Sequence, residues 1–78
     1  MKYIYYFRMY KGEYHRVTLA ELREELKKLC TKETYINEWI SLSEPDYTYI
    51  DRVIRAIRKG TYYIFSNNCS CYARKESD

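Results

Sequence analysis

The sequence predicts a small α+β domain: an antiparallel sheet of two β-hairpins, packed on one side by two or three helices, in the order ββα(α)αββ. Three observations carry this reading. Residues 2–10 alternate in character at the period of a strand, and residues 19–30 and 50–57 place Leu, Ile and Val at helical spacing. After Gly60, residues 61–74 return to strand-like composition around Asn67-Asn68.

In the first hairpin, Tyr3, Tyr5, Phe7 and Met9 fall on one side, and Lys2, Ile4, Tyr6, Arg8 and Tyr10 on the other. Gly12 supplies the turn. A three-residue loop, Lys11-Gly12-Glu13, sets Tyr10 opposite Tyr14, Arg8 opposite Arg16 and Phe7 opposite Val17. This register keeps Phe7, Met9 and Val17 on the core face and points His15 to the same side; a two-residue loop would flip the second strand.

Thr18 and Glu21 then form a capping box, with Val17 and Leu22 spaced as a hydrophobic staple. Leu19, Leu22, Leu26, Leu29 and Cys30 make the apolar stripe of the first helix, and Glu24 and Lys28 are spaced to pair outside it. Residues 31–42 admit two readings. Tyr35, Ile36, Trp39 and Ile40 fit a short helix, whereas the Thr, Tyr, Ile and Trp content suits a strand; the short helix is the expectation adopted. Ser43-Glu44-Pro45-Asp46 opens the next helix, since Ser and Asp cap and Pro is tolerated in a first turn. Ile50, Val53, Ile54 and Ile57 form its stripe, and Gly60 ends it. Thr61–Ser66 and Cys69–Arg74 make the final hairpin, residues 1–75 one compact unit, and 76–78 a polar tail.

A core built by only 78 residues is thin, and 11 Tyr, 2 Phe and 1 Trp extend it. The net charge of +3 is mild, but its distribution is segregated. Residues 1–17 carry +3, residues 35–51 carry −4 (Glu38, Glu44, Asp46, Asp51), and residues 52–60 carry +4 (Arg52, Arg55, Arg58, Lys59). No stretch approaches the ~20 apolar residues of a membrane span. The opening Met-Lys-Tyr-Ile-Tyr-Tyr-Phe-Arg does not read as a signal peptide, and an odd count of 3 Cys suits a reducing, cytoplasmic setting.

Lys2, Tyr6, Arg8, Tyr10, Tyr14 and Arg16 share the outward face of the first hairpin. Aromatic rings interleaved with guanidinium groups suit stacking on single-stranded nucleic acid or a protein interface, and equally suit ordinary cross-strand stabilisation. Arg52, Arg55 and Lys59 form a ridge opposite the second stripe, with Arg58 on its flank. Such a ridge can meet phosphates or an acidic surface, or be a solvated helix face in which Asp51 pairs with Arg55.

Cys30, Cys69, Cys71 and His15 have the chemistry of a tetrahedral zinc set, but their spacing matches no knuckle or ribbon. Buried reduced thiols are the simpler reading. One histidine offers little for nucleophilic catalysis, and no Gly-rich loop cradles a phosphate. The expectation is therefore a protein that is not an enzyme and needs no cofactor or metal.

Two function classes follow: a stoichiometric protein-binding module, or a nucleic-acid-binding protein using the Tyr/Arg sheet face and the basic ridge. The tyrosine-rich chain without catalytic motif, opening Met-Lys-Tyr-Ile-Tyr-Tyr, resembles in overall style the small proteins of phages and mobile elements, among them the anti-CRISPR inhibitors. The resemblance rests on no motif and transfers no functional residue. It implies a cytoplasmic inhibitor that occupies a protein surface of a host defence complex, often its nucleic-acid-reading groove. The net +3 departs from the acidic balance of groove-blocking members. An unguarded edge strand also allows a homodimer.

Overall fold

The computed structural model describes residues 2–10, 12–65 and 68–76. The chain runs β1 (Tyr3–Arg8), β2 (His15–Val17), α1 (Leu19–Leu29), β3 (Thr31–Tyr35), β4 (Ser41–Pro45), α2 (Tyr47–Arg58), β5 (Tyr63–Ile64) and β6 (Ser70–Lys75). The two terminal hairpins join through their first and last strands into one antiparallel sheet of order β2-β1-β6-β5, and β3 and β4 form a separate two-stranded sheet. The α+β architecture expected from the sequence is thus present, with two helices and an additional hairpin between them.

The odd-numbered residues of β1 and β6 supply the core face. Tyr5 and Phe7 stand opposite Ala73 and Cys71, and all four are buried against Leu22 and Leu26 of α1 and Ile50, Val53, Ile54 and Ile57 of α2. Both predicted helical stripes are therefore the buried ones. At the start of α1, Thr18 accepts from the Glu21 amide at 3.1 Å and Glu21 accepts from the Thr18 amide at 3.0 Å, closing the capping box. Asp46, rather than Ser43, caps α2 by accepting from the Tyr49 amide. Pro45 is the last residue of β4 and lies outside the helix.

The register of the first hairpin differs from expectation by two residues. Phe7 faces His15, Tyr6 faces Arg16 and Tyr5 faces Val17. A shift of two preserves the side on which each residue lies, so Tyr6, Arg8 and Arg16 remain together. It also lengthens the connection, leaving Met9 and Tyr10 in an exposed loop rather than in the strand. Tyr10 adopts a positive φ of 53°, and the Gly12 amide donates to the Met9 carbonyl at 3.0 Å. Lys11 of the expected turn lies outside the described residues, as do Ser66 and Asn67 of the final hairpin and Ser77 and Asp78 of the tail.

The short helix expected within residues 31–42 is corrected to the β3–β4 hairpin. Asn37 decides the matter, because its Oδ1 accepts from the amides of Trp39 and Ile40 at 2.8 and 3.0 Å and closes a turn. The Ile36 amide donates to the Ile40 carbonyl across that turn. At the root, the Asp46 amide donates to the Cys30 carbonyl at 2.8 Å. The hairpin thus leaves the body between a buried cysteine and a helix cap, with every residue from Thr31 to Glu44 exposed. The molecule measures 53 × 28 × 18 Å.

Candidate functional site

Because α1 and α2 both pack on the odd face of β1 and β6, no described element covers the even face. That face carries Ile4, Tyr6 and Arg8 from β1, Arg16 from β2, Ser70, Tyr72 and Arg74 from β6, and Ile64 from β5. Tyr6, Tyr72 and Tyr62 stack across the strands with ring centroids 4.8 and 4.5 Å apart and interplanar angles of 14° and 20°. This repeat matches the roughly 4.8 Å spacing of neighbouring strands, so the sheet itself sets the stack. Arg16 stands in register with Tyr6 at one end of the row, and the other end is Tyr62, 59% exposed beside the edge strand.

Tyr14 leans across the same face. Its ring meets Tyr72 edge-on at 4.8 Å, the Arg8 guanidinium lies 5.2 Å from its centroid, and its hydroxyl pairs with Ser70 Oγ at 2.7 Å. Ser70 is fully buried although no described helix lies above it, so the tyrosine layer acts as a lid. Arg74 donates from Nε to the Tyr6 hydroxyl at 3.2 Å with its guanidinium 5.9 Å from the Tyr6 centroid. Burial, followed by the neighbouring phenols of Tyr62, Tyr6 and Tyr14, pushes the Tyr72 hydroxyl above its ordinary pKa. The strand residues of this face include no carboxylate; Glu76, next on it after Arg74, lies at the end of the sheet with its amide donating to the Lys2 carbonyl. Arg8 Nε is buried with no acceptor among the described residues.

Of the residues singled out in the sequence, Tyr6, Arg8, Tyr14 and Arg16 share this face and Tyr10 does not. Tyr62, Tyr72 and Arg74 were not anticipated. Their signal is present in the alternation of residues 70–74, but only the β1–β6 pairing brings it to Tyr6 across a gap of 66 residues in sequence.

The ridge is on the opposite side of the molecule. Arg52, Arg55 and Lys59 are exposed on the side of α2 turned away from the sheet, so they cannot form one surface with the tyrosine layer. Arg52 and Arg55 border a shallow depression with Thr48 and Asp51. The expected Asp51–Arg55 pair is replaced by an inter-helix bridge from Arg23 to Asp51 at 3.3 Å. Glu24 pairs with Lys27 rather than Lys28. Arg58 turns away from the ridge toward β1.

His15 is exposed and borders an open groove of about 400 Å³ with Phe7, Met9 and Val17 at its floor. Cys30, Cys69 and Cys71 are buried. Among the described residues, no three His, Cys, Asp or Glu side chains converge where a metal ion could be held. Burial pushes the Cys30 thiol up to about 11, with Asp46 adding to it, and the Cys71 thiol up to about 12, with Cys30 adding to it. Such thiols are poor nucleophiles near neutral pH.

The hairpin is the second candidate surface, and sequence reasoning missed it. Its pairs put Thr34 opposite Leu42 and Tyr35 opposite Ser41, so Ile36, Ile40 and Leu42 share one face. Tyr35, Ile36, Ile40 and Leu42 are 50–72% exposed and Trp39, at the tip, is 89% exposed. Isolated two-stranded hairpins are marginal in water, and this one is held by its root, by the Asn37 turn and by a Thr34–Glu44 contact at 3.4 Å. No described helix is long and apolar enough to cross a membrane. Comparison with family models, with curated proteins and with solved structures finds no match.

Proposed function

We propose that this chain is a stoichiometric protein-binding module whose β3–β4 hairpin inserts into a cleft of a partner protein. The observation that supports the reading is Trp39. A large aromatic side chain 89% exposed at the tip of an arm, beside exposed Ile36 and Ile40, is costly in water and is the chemistry of an interface anchor. The arm needs no rearrangement to dock, because the Asp46–Cys30 hydrogen bond fixes its root and Asn37 fixes its tip. Pre-ordering of this kind reduces the entropy lost on association.

The arm also specifies its partner chemically. Its charged residues are Lys32 against Glu33, Glu38 and Glu44, so it suits a cleft with an apolar floor and a basic rim. A nucleic-acid-processing complex of a host cell is the class of partner to examine first, in keeping with the resemblance to small phage inhibitors. Inhibition there is occupation of a surface, and no catalytic step is assigned to the chain.

A photo-crosslinking residue in place of Trp39, with Lys59 as the control position, tests the reading. The expected result is a partner captured from position 39 alone. Against that purified partner, Trp39→Ala should weaken binding by at least roughly thirtyfold, as for an interface hot spot. Equal affinity of Trp39→Ala for the captured partner would remove the arm as the anchor. A homodimer lost in Trp39→Ala would reassign it to self-association.

A further inference from the structure

We infer that the uncovered face of the four-stranded sheet binds single-stranded nucleic acid, with a base stacked on the outer ring face of Tyr62 and the adjoining phosphates against Arg74, Arg8 and Arg16. This surface shares no residue with the hairpin, so it is separable from the protein-binding role.

This face of the sheet is cationic. Arg8, Arg16 and Arg74 stand on it with no Asp or Glu among its strand residues, in a chain where Asp and Glu number 11. The ion pairs of the described residues lie elsewhere, on α1 and between α1 and α2. Phenol hydroxyls and guanidinium groups make the face rich in donors. An anionic oxygen supplies what is missing.

The aromatic arrangement narrows the anion to a nucleic acid. Tyr72 has both ring faces occupied, by Tyr6 and Tyr62, and Tyr6 is stacked on Tyr72 on one side and stands in register with Arg16 of β2 on the other. Tyr62 is the end of the stack, and no described strand lies beyond β5. A planar base placed there continues a stack already built at 4.5–4.8 Å. An acidic peptide would satisfy the arginines but leave the Tyr62 ring face unmatched. A single strand alternates planar ring and phosphate, and so meets both, whereas the bases of a duplex are already stacked on one another.

Tyr62 is the one exposed ring of the stack, so sequence preference should be weak and binding salt-dependent. Three phosphate contacts on a single strand give a log–log slope in salt of about −2, and each arginine removed lowers it by about 0.7.

The experiment is fluorescence anisotropy with labelled oligo-dT and oligo-U of about 12 nucleotides, a length that spans a typical single-strand site. Wild type should bind both at low salt with that slope. Tyr62→Ala should weaken binding roughly 5- to 100-fold, Tyr62→Phe should bind as wild type, and Arg16→Ala with Arg74→Ala should flatten the salt dependence. Trp39→Ala should bind as wild type. Circular dichroism of each variant confirms the fold. Absence of binding at low salt, or wild-type affinity in Tyr62→Ala, would overturn the inference. So would duplex DNA binding as tightly as the single strand, or polyglutamate displacing the probe as well as unlabelled oligonucleotide does.

Discussion

Arg58 donates from Nε to the hydroxyl of Tyr5 at 2.7 Å and so ties the last turn of α2 to the central strand β1. The same guanidinium lies over the rings of Tyr3 and Tyr5, at 5.3 and 5.7 Å from their centroids. Tyr5 is only 5% exposed, and this contact lets a core position carry a hydroxyl without leaving it unsatisfied. Arg58→Ala is expected to destabilise the fold by about 1–3 kcal/mol, since it strands the phenol and removes the cation–π contacts. Arg58→Lys should recover little of that, because an ammonium group lacks the planar fork. Urea denaturation measures both, and an unchanged midpoint in Arg58→Ala would show that the tie contributes nothing.

Gly60 follows the Lys59 cap of α2 with φ of 100°, and an added Cβ would meet nothing within 4 Å. Any loss in Gly60→Ala is therefore a backbone cost and not a clash, and about 1 kcal/mol is expected. Gly60→Asn should cost less, since Asn tolerates the left-handed region. Equal losses for the two variants in thermal denaturation would contradict this account.

The parts of the fold legible in the sequence are those settled by neighbours in the chain. Thr18 and Glu21 announce the start of α1, the Ile50–Ile57 stripe announces the buried face of α2, and Gly60 announces its end. Strand parity survived the register error because a slip of two residues keeps Tyr6, Arg8 and Arg16 on one face. What failed was settled by atoms distant in sequence or by a single side chain. Tyr35, Ile36, Trp39 and Ile40 recur at helical spacing, yet Asn37 turns the segment into a hairpin with two side-chain hydrogen bonds. The legible hint was Asn37 flanked by the β-branched Thr34, Ile36 and Ile40. The stack of Tyr6 on Tyr72 requires knowing that β1 pairs with β6, which no local pattern encodes.

Trp39 is the one tryptophan of the chain and is 89% exposed on the arm, away from the core cluster. Its fluorescence should therefore resemble that of tryptophan in water in the native state and be quenched freely by acrylamide. Unfolding in urea should leave its emission maximum almost unchanged, while far-UV circular dichroism reports a cooperative transition. A large shift in emission coinciding with unfolding would place the indole in contact with the body. Binding of the partner proposed above should instead shift the emission to the blue and protect it from acrylamide.

The buried thiols predict a loss of stability at alkaline pH. Burial raises Cys30 from the ordinary 9.0 to about 11 and Cys71 from 9.0 to about 12, so both remain protonated in the fold at a pH where the unfolded chain has ionised them. Between those values the unfolded state binds fewer protons than the native state, and stability falls with rising pH. The loss begins near 9.0 and continues as pH rises toward about 12, the folded value of Cys71. Tyrosine and lysine also titrate in this range, so the informative quantity is a difference. The drop in urea midpoint from about pH 8 to about pH 10 should be smaller in Cys71→Ala than in wild type. Cys71→Ala is expected to be less stable than wild type at about pH 8, because it opens a small cavity in the core. The gap between the two proteins should then narrow as pH rises. A gap that stays constant would mean that Cys71 has the same proton affinity folded and unfolded, and that its burial does not oppose ionisation.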